Sequence, residues 1–377
     1  MKQDLSNFTT HFDVGGKKFA NIFQAYDHSI KTKTFCYFKI DQIWIDQVNS
    51  IVLSHEPDAG SLKNLIIKKL KHLRKTHNYL VLSYSGGTDT HTILKTAMEN
   101  KIYIDEIFIE LPGLIPNPMT DEEQILGLNY CKKYLGTLIG KITTQRWNMK
   151  DYDFLDVHEW WKNPAINLST QIRYRPSYAI KLKELYDKID GVVITGHDKP
   201  YLRYKNNKFY WWNRDSDSAE WMRTPNCFCF FFDPEICVTY AYLLKNTIFK
   251  NKLKYFKKIE DRHDFLWHLD RSETDRVYSA MGYDWQNKID QYKFTFKPHT
   301  TTHYNYKNLQ ALKDFKLLGH SEIIEKIQKS MDEVWNQYKH YPYMVERDKN
   351  HVIKIVDRYT QMFELTENKM ICRGHDV

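Results

Sequence analysis

The sequence predicts an α/β fold, a parallel twisted sheet flanked by helices, and three stretches carry that expectation. Tyr79-Leu80-Val81-Leu82-Ser83 is a short apolar, β-favouring run that meets Gly86-Gly87. It then passes into residues 90–100, where Ile93, Leu94, Ala97 and Met98 recur at helical spacing. The units that follow repeat strand and helix with short links, a pattern of parallel pairing. Gly191-Val192-Val193-Ile194-Thr195 reads as a further strand that also ends in a glycine, Gly196. Around this α/β centre (59–250) we expect a short β-rich N-terminal extension (1–58) and a mostly helical C-terminal part (251–377).

In chain order, residues 19–23 and 34–40 lean towards strand, and Gly15-Gly16-Lys17-Lys18 reads as a turn without phosphate-loop context. Ser61 is the expected N-cap of an amphipathic helix to Lys75. Leu62, Leu65, Ile66, Leu70 and Leu73 share one face, and Lys63, Lys68, Lys69 and Lys71 cover the rest as a solvated surface. Residues 102–110 form the second strand of the centre, followed by a proline-rich turn over 111–118. Thr120-Asp121-Glu122-Glu123 reads as a capping box for a helix ending near Gly136, and 137–143 as a third strand. A helix over 170–188 leads into the strand at Gly191. Asn206-Asn207 marks the turn of a hairpin over 201–213. Residues 321–338 and 343–365 read as helical.

With 377 residues the chain can bury a substantial core, and 42% hydrophobic with 27% charged residues is ordinary globular composition. The net charge of +8 suits polyanions, among them ATP as well as nucleic acid. The six cysteines lack the spacing of a disulfide framework. Neither a signal-peptide core nor an apolar run of about 18 residues is seen, so a reduced cytoplasm is expected and a membrane is not.

Chemistry is expected first at the turn after residue 83. Two glycines let backbone approach an anion, successive N–H groups converge on it, and the helix start adds positive partial charge. The turn lacks the Lys-Ser/Thr ending of the common nucleotide loop; the alternative is a purely structural Gly-Gly turn. Ser85-Gly86-Gly87-Thr88-Asp89-Thr90 resembles the Ser-Gly-Gly-x-Asp-Ser signature of the PP-loop ATP pyrophosphatase superfamily, with Thr90 in place of the last Ser. That superfamily includes asparagine synthetases, β-lactam synthetases, GMP synthetase, tRNA thiolation enzymes and phosphoadenylylsulfate reductases.

The resemblance implies a PP-loop (HUP-like) fold that cleaves ATP between its α- and β-phosphates. It implies nucleotide contacts at Ser83, Ser85, Gly86, Gly87, Thr88, Asp89 and Thr90, and base contacts through backbone at Glu110 and Leu111. Thr195-Gly196-His197-Asp198-Lys199 looks like a shortened version of the family's loop after the fourth strand. Gly196 and His197 then belong to the site, and Asp198 joins Asp89 as a magnesium ligand and catalytic carboxylate. Lys199 stands where a second carboxylate is usual. Phe231-Phe232-Asp233-Pro234 resembles a helix-opening segment of asparagine-synthetase-like domains, and Lys293 and Lys297 are candidates for that group's phosphate-steadying lysine. Lys2 follows Met1 where the glutamine-dependent members carry a catalytic Cys, so ammonia made in cis is not expected.

The function implied is an ATP- and Mg2+-dependent ligase that adenylates a carboxylate and passes it to an amine or ammonia. The competitors are a PP-loop enzyme adenylating a nucleobase of tRNA or DNA, and a nucleotide-binding regulatory module without catalysis. Cys227, Cys229 and Cys237 lack the paired spacing of a zinc site. His299 and His303 lack the Glu of a metalloprotease helix, and residues 372–375 read as a frayed tail.

Overall fold

The computed structural model describes residues 10–111, 113–162, 191–196, 201–205, 208–213, 226–259, 265–267, 277, 280–283, 303–341, 344–347, 353–355 and 360–375. The expected helix over 170–188, the residues His197, Asp198, Lys293 and Lys297, and the hairpin tip Asn206-Asn207 lie outside them.

The first elements are β1 (Thr10–Val14), β2 (Lys17–Phe19), α1 (Ile22–Thr32), β3 (Cys36–Ile40) and α2 (Gln42–Ser50). The three strands form an antiparallel sheet in the order β2-β1-β3. The expected strand over 19–23 ends at Phe19. Asn21 takes an extended backbone and its side chain accepts the N–H groups of Phe23 and Gln24, so a helix begins where β-favouring residues stand. A cap of this kind contributes about 1 kcal/mol towards the helix.

The centre comprises α3 (Ala59–Thr76), β4 (Tyr79–Ser83), α4 (Thr88–Glu99), β5 (Ile104–Leu111), α5 (Pro118–Lys132), β6 (Ile139–Arg146), β7 (Gly191–Thr195), β10 (Cys227–Cys229) and α6 (Pro234–Ile259). Its five strands are all parallel, in the order β10-β7-β4-β5-β6. β4 and β7 are nearly continuous apolar runs because both faces are covered; Leu80, Val81 and Leu82 are all fully buried. Asp58 rather than Ser61 caps α3. Ser61 completes a capping box by donating its N–H to the Asp58 carboxylate at 2.7 Å and accepting the Asp58 N–H in return. The Phe231-Phe232-Asp233 stretch does open a helix: Asp233 accepts the Ile236 N–H at 3.3 Å as α6 begins.

A second five-stranded sheet is antiparallel, in the order β11-β8-β9-β14-β15. It pairs the expected hairpin, β8 (Tyr201–Lys205) with β9 (Lys208–Trp212), against β11 (Phe265–Trp267), β14 (Met362–Leu365) and β15 (Met370–Gly374). Two helices, α7 (His303–Leu318) and α8 (Ser321–Tyr338), precede the small ladder of β12 (Val345–Arg347) and β13 (Ile353–Ile355). The helical expectation for 343–365 is therefore corrected. Val345, Ile353 and Ile355 alternate with the charged Glu346 and Lys354, a period of two that suits strands. The expected frayed tail is the edge strand β15, tied to β14 by an Arg373–Glu364 ion pair at 2.8 Å.

The core of the central sheet extends through α2 to the second sheet, where Trp44 stacks on Phe232 and Trp211. A separate core joins β1, β3 and α1 to α7 and α8, so the two ends of the chain share one hydrophobic interior. All six cysteines are free. Among the described residues no helix is long and apolar enough to cross a membrane.

Candidate functional site at the glycine turn after β4

β4 lies at the middle of the parallel sheet, with β5 on one side and β7 on the other. The chain leaves β4 towards β5 and β6, then returns to β7 across β4. This is a topological switch point, where loops at the carboxyl ends of adjacent strands part and leave a crevice. The turn 84–87 and Gly196 both stand at that point.

Tyr84 anchors the turn. Its N–H donates to the Phe108 carbonyl at 2.8 Å, continuing the pairing with β5, and its buried hydroxyl shares a 2.8 Å hydrogen bond with His91 Nδ1 on α4. Burial pushes the Tyr84 phenol well above its ordinary range, and nearby Cys131, Tyr130 and Glu123 add to the shift, so the hydroxyl keeps its proton. Gly127 makes room for the ring: a Cβ there would stand 2.5 Å from Tyr84 Cε1. Burial likewise pushes the Cys131 thiol behind it up to about 12, which removes it as a nucleophile.

Beyond Tyr84 the turn is short and internally bonded. Ser85 is exposed; its N–H donates to Thr90 Oγ1 at 3.3 Å, and its Oγ accepts the Gly87 N–H at 3.2 Å. Thr90 Oγ1 donates back to the Gly87 carbonyl at 3.3 Å. Gly86 has φ of +80°, the left-handed region that only glycine enters readily. Gly87 caps α4, whose first turn carries Asp89, half-exposed, between the buried Thr88 and Thr90. Hydroxyls, backbone N–H groups and one carboxylate are thus gathered at the start of a helix, a donor set suited to a polyphosphate.

Gly196 completes the convergence. A Cβ at this position would stand 2.8 Å from Thr90 Cγ2 and 3.0 Å from the Thr90 nitrogen, so the end of β7 lies directly against the first turn of α4. Ser85, Gly86, Gly87, Thr88, Asp89, Thr90 and Gly196 are brought together. Ser83 is the half-buried last residue of β4.

At the end of β5 the picture differs for side chain and backbone. The Glu110 carboxylate is buried and accepts the Trp147 indole N–H, while Leu111 pairs with Arg146 of β6. The turn that follows is held from afar: Asp314 on α7 accepts the N–H groups of Leu114 at 2.8 Å and Ile115 at 3.2 Å. Arg146 donates to the Ile115 carbonyl at 3.2 Å and pairs with Asp121 in the first turn of α5.

Sequence reasoning passed over two residues here. Glu123 lies on the glycine turn itself: a Cβ at Gly86 would stand 2.3 Å from its carbonyl oxygen, and one at Gly87 2.8 Å from its Oε1. Its only local signal was membership of the Thr120–Glu123 capping pattern. Asp314 carried no signal, being 200 residues from the turn that it holds.

Asp89 and Glu123 are described carboxylates beside the cradle. Among the described residues no group of three or more His, Cys, Asp or Glu side chains stands together as a ready-made metal site. Magnesium bound with a nucleotide takes most of its ligands from phosphate and water and needs only one or two carboxylates, so this donor set fits that mode. No known family model matches the chain, and a search of curated proteins finds no match to it.

Proposed function

We propose that this chain is an ATP-dependent ligase of the PP-loop type, which activates a carboxylate as an acyl-adenylate and transfers it to an amine or ammonia. The observation that carries the reading is the meeting of Ser85–Thr90 with Gly196 at the switch point of a parallel sheet.

In the reaction proposed, a carboxylate oxygen of the substrate attacks the α-phosphorus of ATP. The bond from that phosphorus to the oxygen bridging the β-phosphate breaks, and pyrophosphate departs with the bonding electrons. The Ser85 and Thr90 hydroxyls and the backbone of Gly86–Thr88, gathered at the start of α4, would receive it. The amine nitrogen then attacks the acyl carbon, AMP leaves with the carboxylate's former oxygen, and the nitrogen loses a proton. Asp89 would hold magnesium at the phosphates, and that ion, when bound, neutralises charge on the departing pyrophosphate. The Glu110 carboxylate is occupied by the Trp147 indole N–H, so base contact at the end of β5 is assigned to backbone rather than to this side chain.

The test is pyrophosphate release from ATP with a panel of small carboxylates plus ammonia, and in parallel with tRNA and DNA. Release with a small carboxylate, lowered at least about a hundredfold by Asp89→Ala, is expected. Release with nucleic acid alone would move the reading to nucleobase modification. ATP binding without any release would move it to a regulatory module.

A further inference from the structure

The second turn of α5, which carries Glu123, lies across the glycine turn, and two anchors hold the start of the helix before it. Asp314, wholly buried, accepts the N–H groups of Leu114 and Ile115, fixing the segment that leads into α5. Arg146 grips the same segment at the Ile115 carbonyl and pairs with Asp121. Glu123 therefore presses its backbone carbonyl on Gly86 and its carboxylate on Gly87, 2.3 Å and 2.8 Å from where side chains there would begin. A negative charge rests against the backbone to which the proposed function assigns the departing diphosphate.

We propose that Glu123 is a specificity-determining residue of the phosphate site: a built-in anion that a ligand must displace, so that the site takes polyphosphate chains and refuses monophosphates. The inference rests on the PP-loop reading and adds to it the class of anion accepted. A group tethered on the same chain competes at an effective concentration of about a millimolar or more. A lone phosphate that replaces it exchanges one anion for another and gains little. Two linked phosphates span the cradle, so the second binds intramolecularly and the pair outcompetes the carboxylate.

Titration calorimetry of the full chain with inorganic pyrophosphate and with inorganic phosphate tests this on wild type, Glu123→Gln and Glu123→Ala, each checked for intact thermal unfolding. Wild type is expected to bind pyrophosphate but not phosphate. Both variants should bind pyrophosphate about tenfold more tightly, as removal of one nearby like charge implies, and should acquire measurable phosphate binding. The alanine variant guards against a glutamine amide filling the same seat. Pyrophosphate binding that is unchanged or weaker in both variants, or wild-type phosphate binding as tight as pyrophosphate, overturns the inference and leaves the ligase reading standing. No pyrophosphate binding by any of the three removes both.

Discussion

Two glycine pairs end strands in this chain, and they use glycine for different reasons. Gly15 and Gly16, with φ of 60° and 86°, close the two-residue turn between β1 and β2, and a methyl group on Gly16 would meet nothing within 4 Å. There glycine serves the tight antiparallel turn, which needs positive φ at both central positions. Gly86 shares the positive φ, at 80°, but it and Gly87 also face another part of the chain at a distance no side chain permits. The first pair sits at a hairpin tip and the second at the carboxyl end of the central parallel strand. Conformation alone marks a turn; close approach at a switch point makes the second pair a candidate site.

Substitutions can break or sharpen that contrast. Gly86→Ala should have the largest effect, about 3 kcal/mol of stability measured by denaturant unfolding, because strained backbone and overlap with the Glu123 carbonyl act together. Gly196→Ala should cost about 2 kcal/mol, since its Cβ meets the Thr90 nitrogen at 3.0 Å and the loop must part from α4. It should also weaken ATP binding, in contrast to a purely structural defect. Asp58→Ala removes the α3 cap, whose hydrogen bonds are to Ser61, and should cost about 1 kcal/mol with ATP affinity unchanged. Gly16→Ala should be the mildest, about 1 kcal/mol or less from backbone strain alone. A Gly16 variant as damaging as the Gly86 variant would erase the distinction.

The parallel centre was legible because its signals are local. Apolar runs, glycine breaks and helical spacing recur from Tyr79 to Thr195, and four of the five parallel strands overlap the runs that predict them; the edge strand β10 (Cys227–Cys229) carried no such signal. The first N-terminal helix was not legible, because one Asn side chain at position 21 decides between strand and helix. Residues 343–365 failed for another reason: sparse apolar positions fit a helical spacing as well as the alternation that tertiary pairing selects. At the site, Ser85–Thr90 and Gly196 were readable from motif and order, whereas Glu123 and Asp314 arrive only through folding.

The basic face of α3 is a related case. Expected to be solvated, it is largely tied to carboxylates, with Lys63 at 3.2 Å from Glu99, Lys68 at 3.3 Å from Glu235 and Lys69 at 2.5 Å from Asp233. Arg74 pairs with Asp105. Neutralised in this way, the helix offers a nucleic acid less charge than its lysine count suggests.

Amide hydrogen exchange of the full chain, with and without ATP and magnesium, tests the central claim most directly. Bound diphosphate should slow exchange over Tyr84–Thr90 and at Gly196 by about tenfold or more, while the Gly15–Gly16 turn stays unchanged. Unaltered exchange across Tyr84–Thr90 at saturating ATP, or protection confined to another part of the chain, would contradict it.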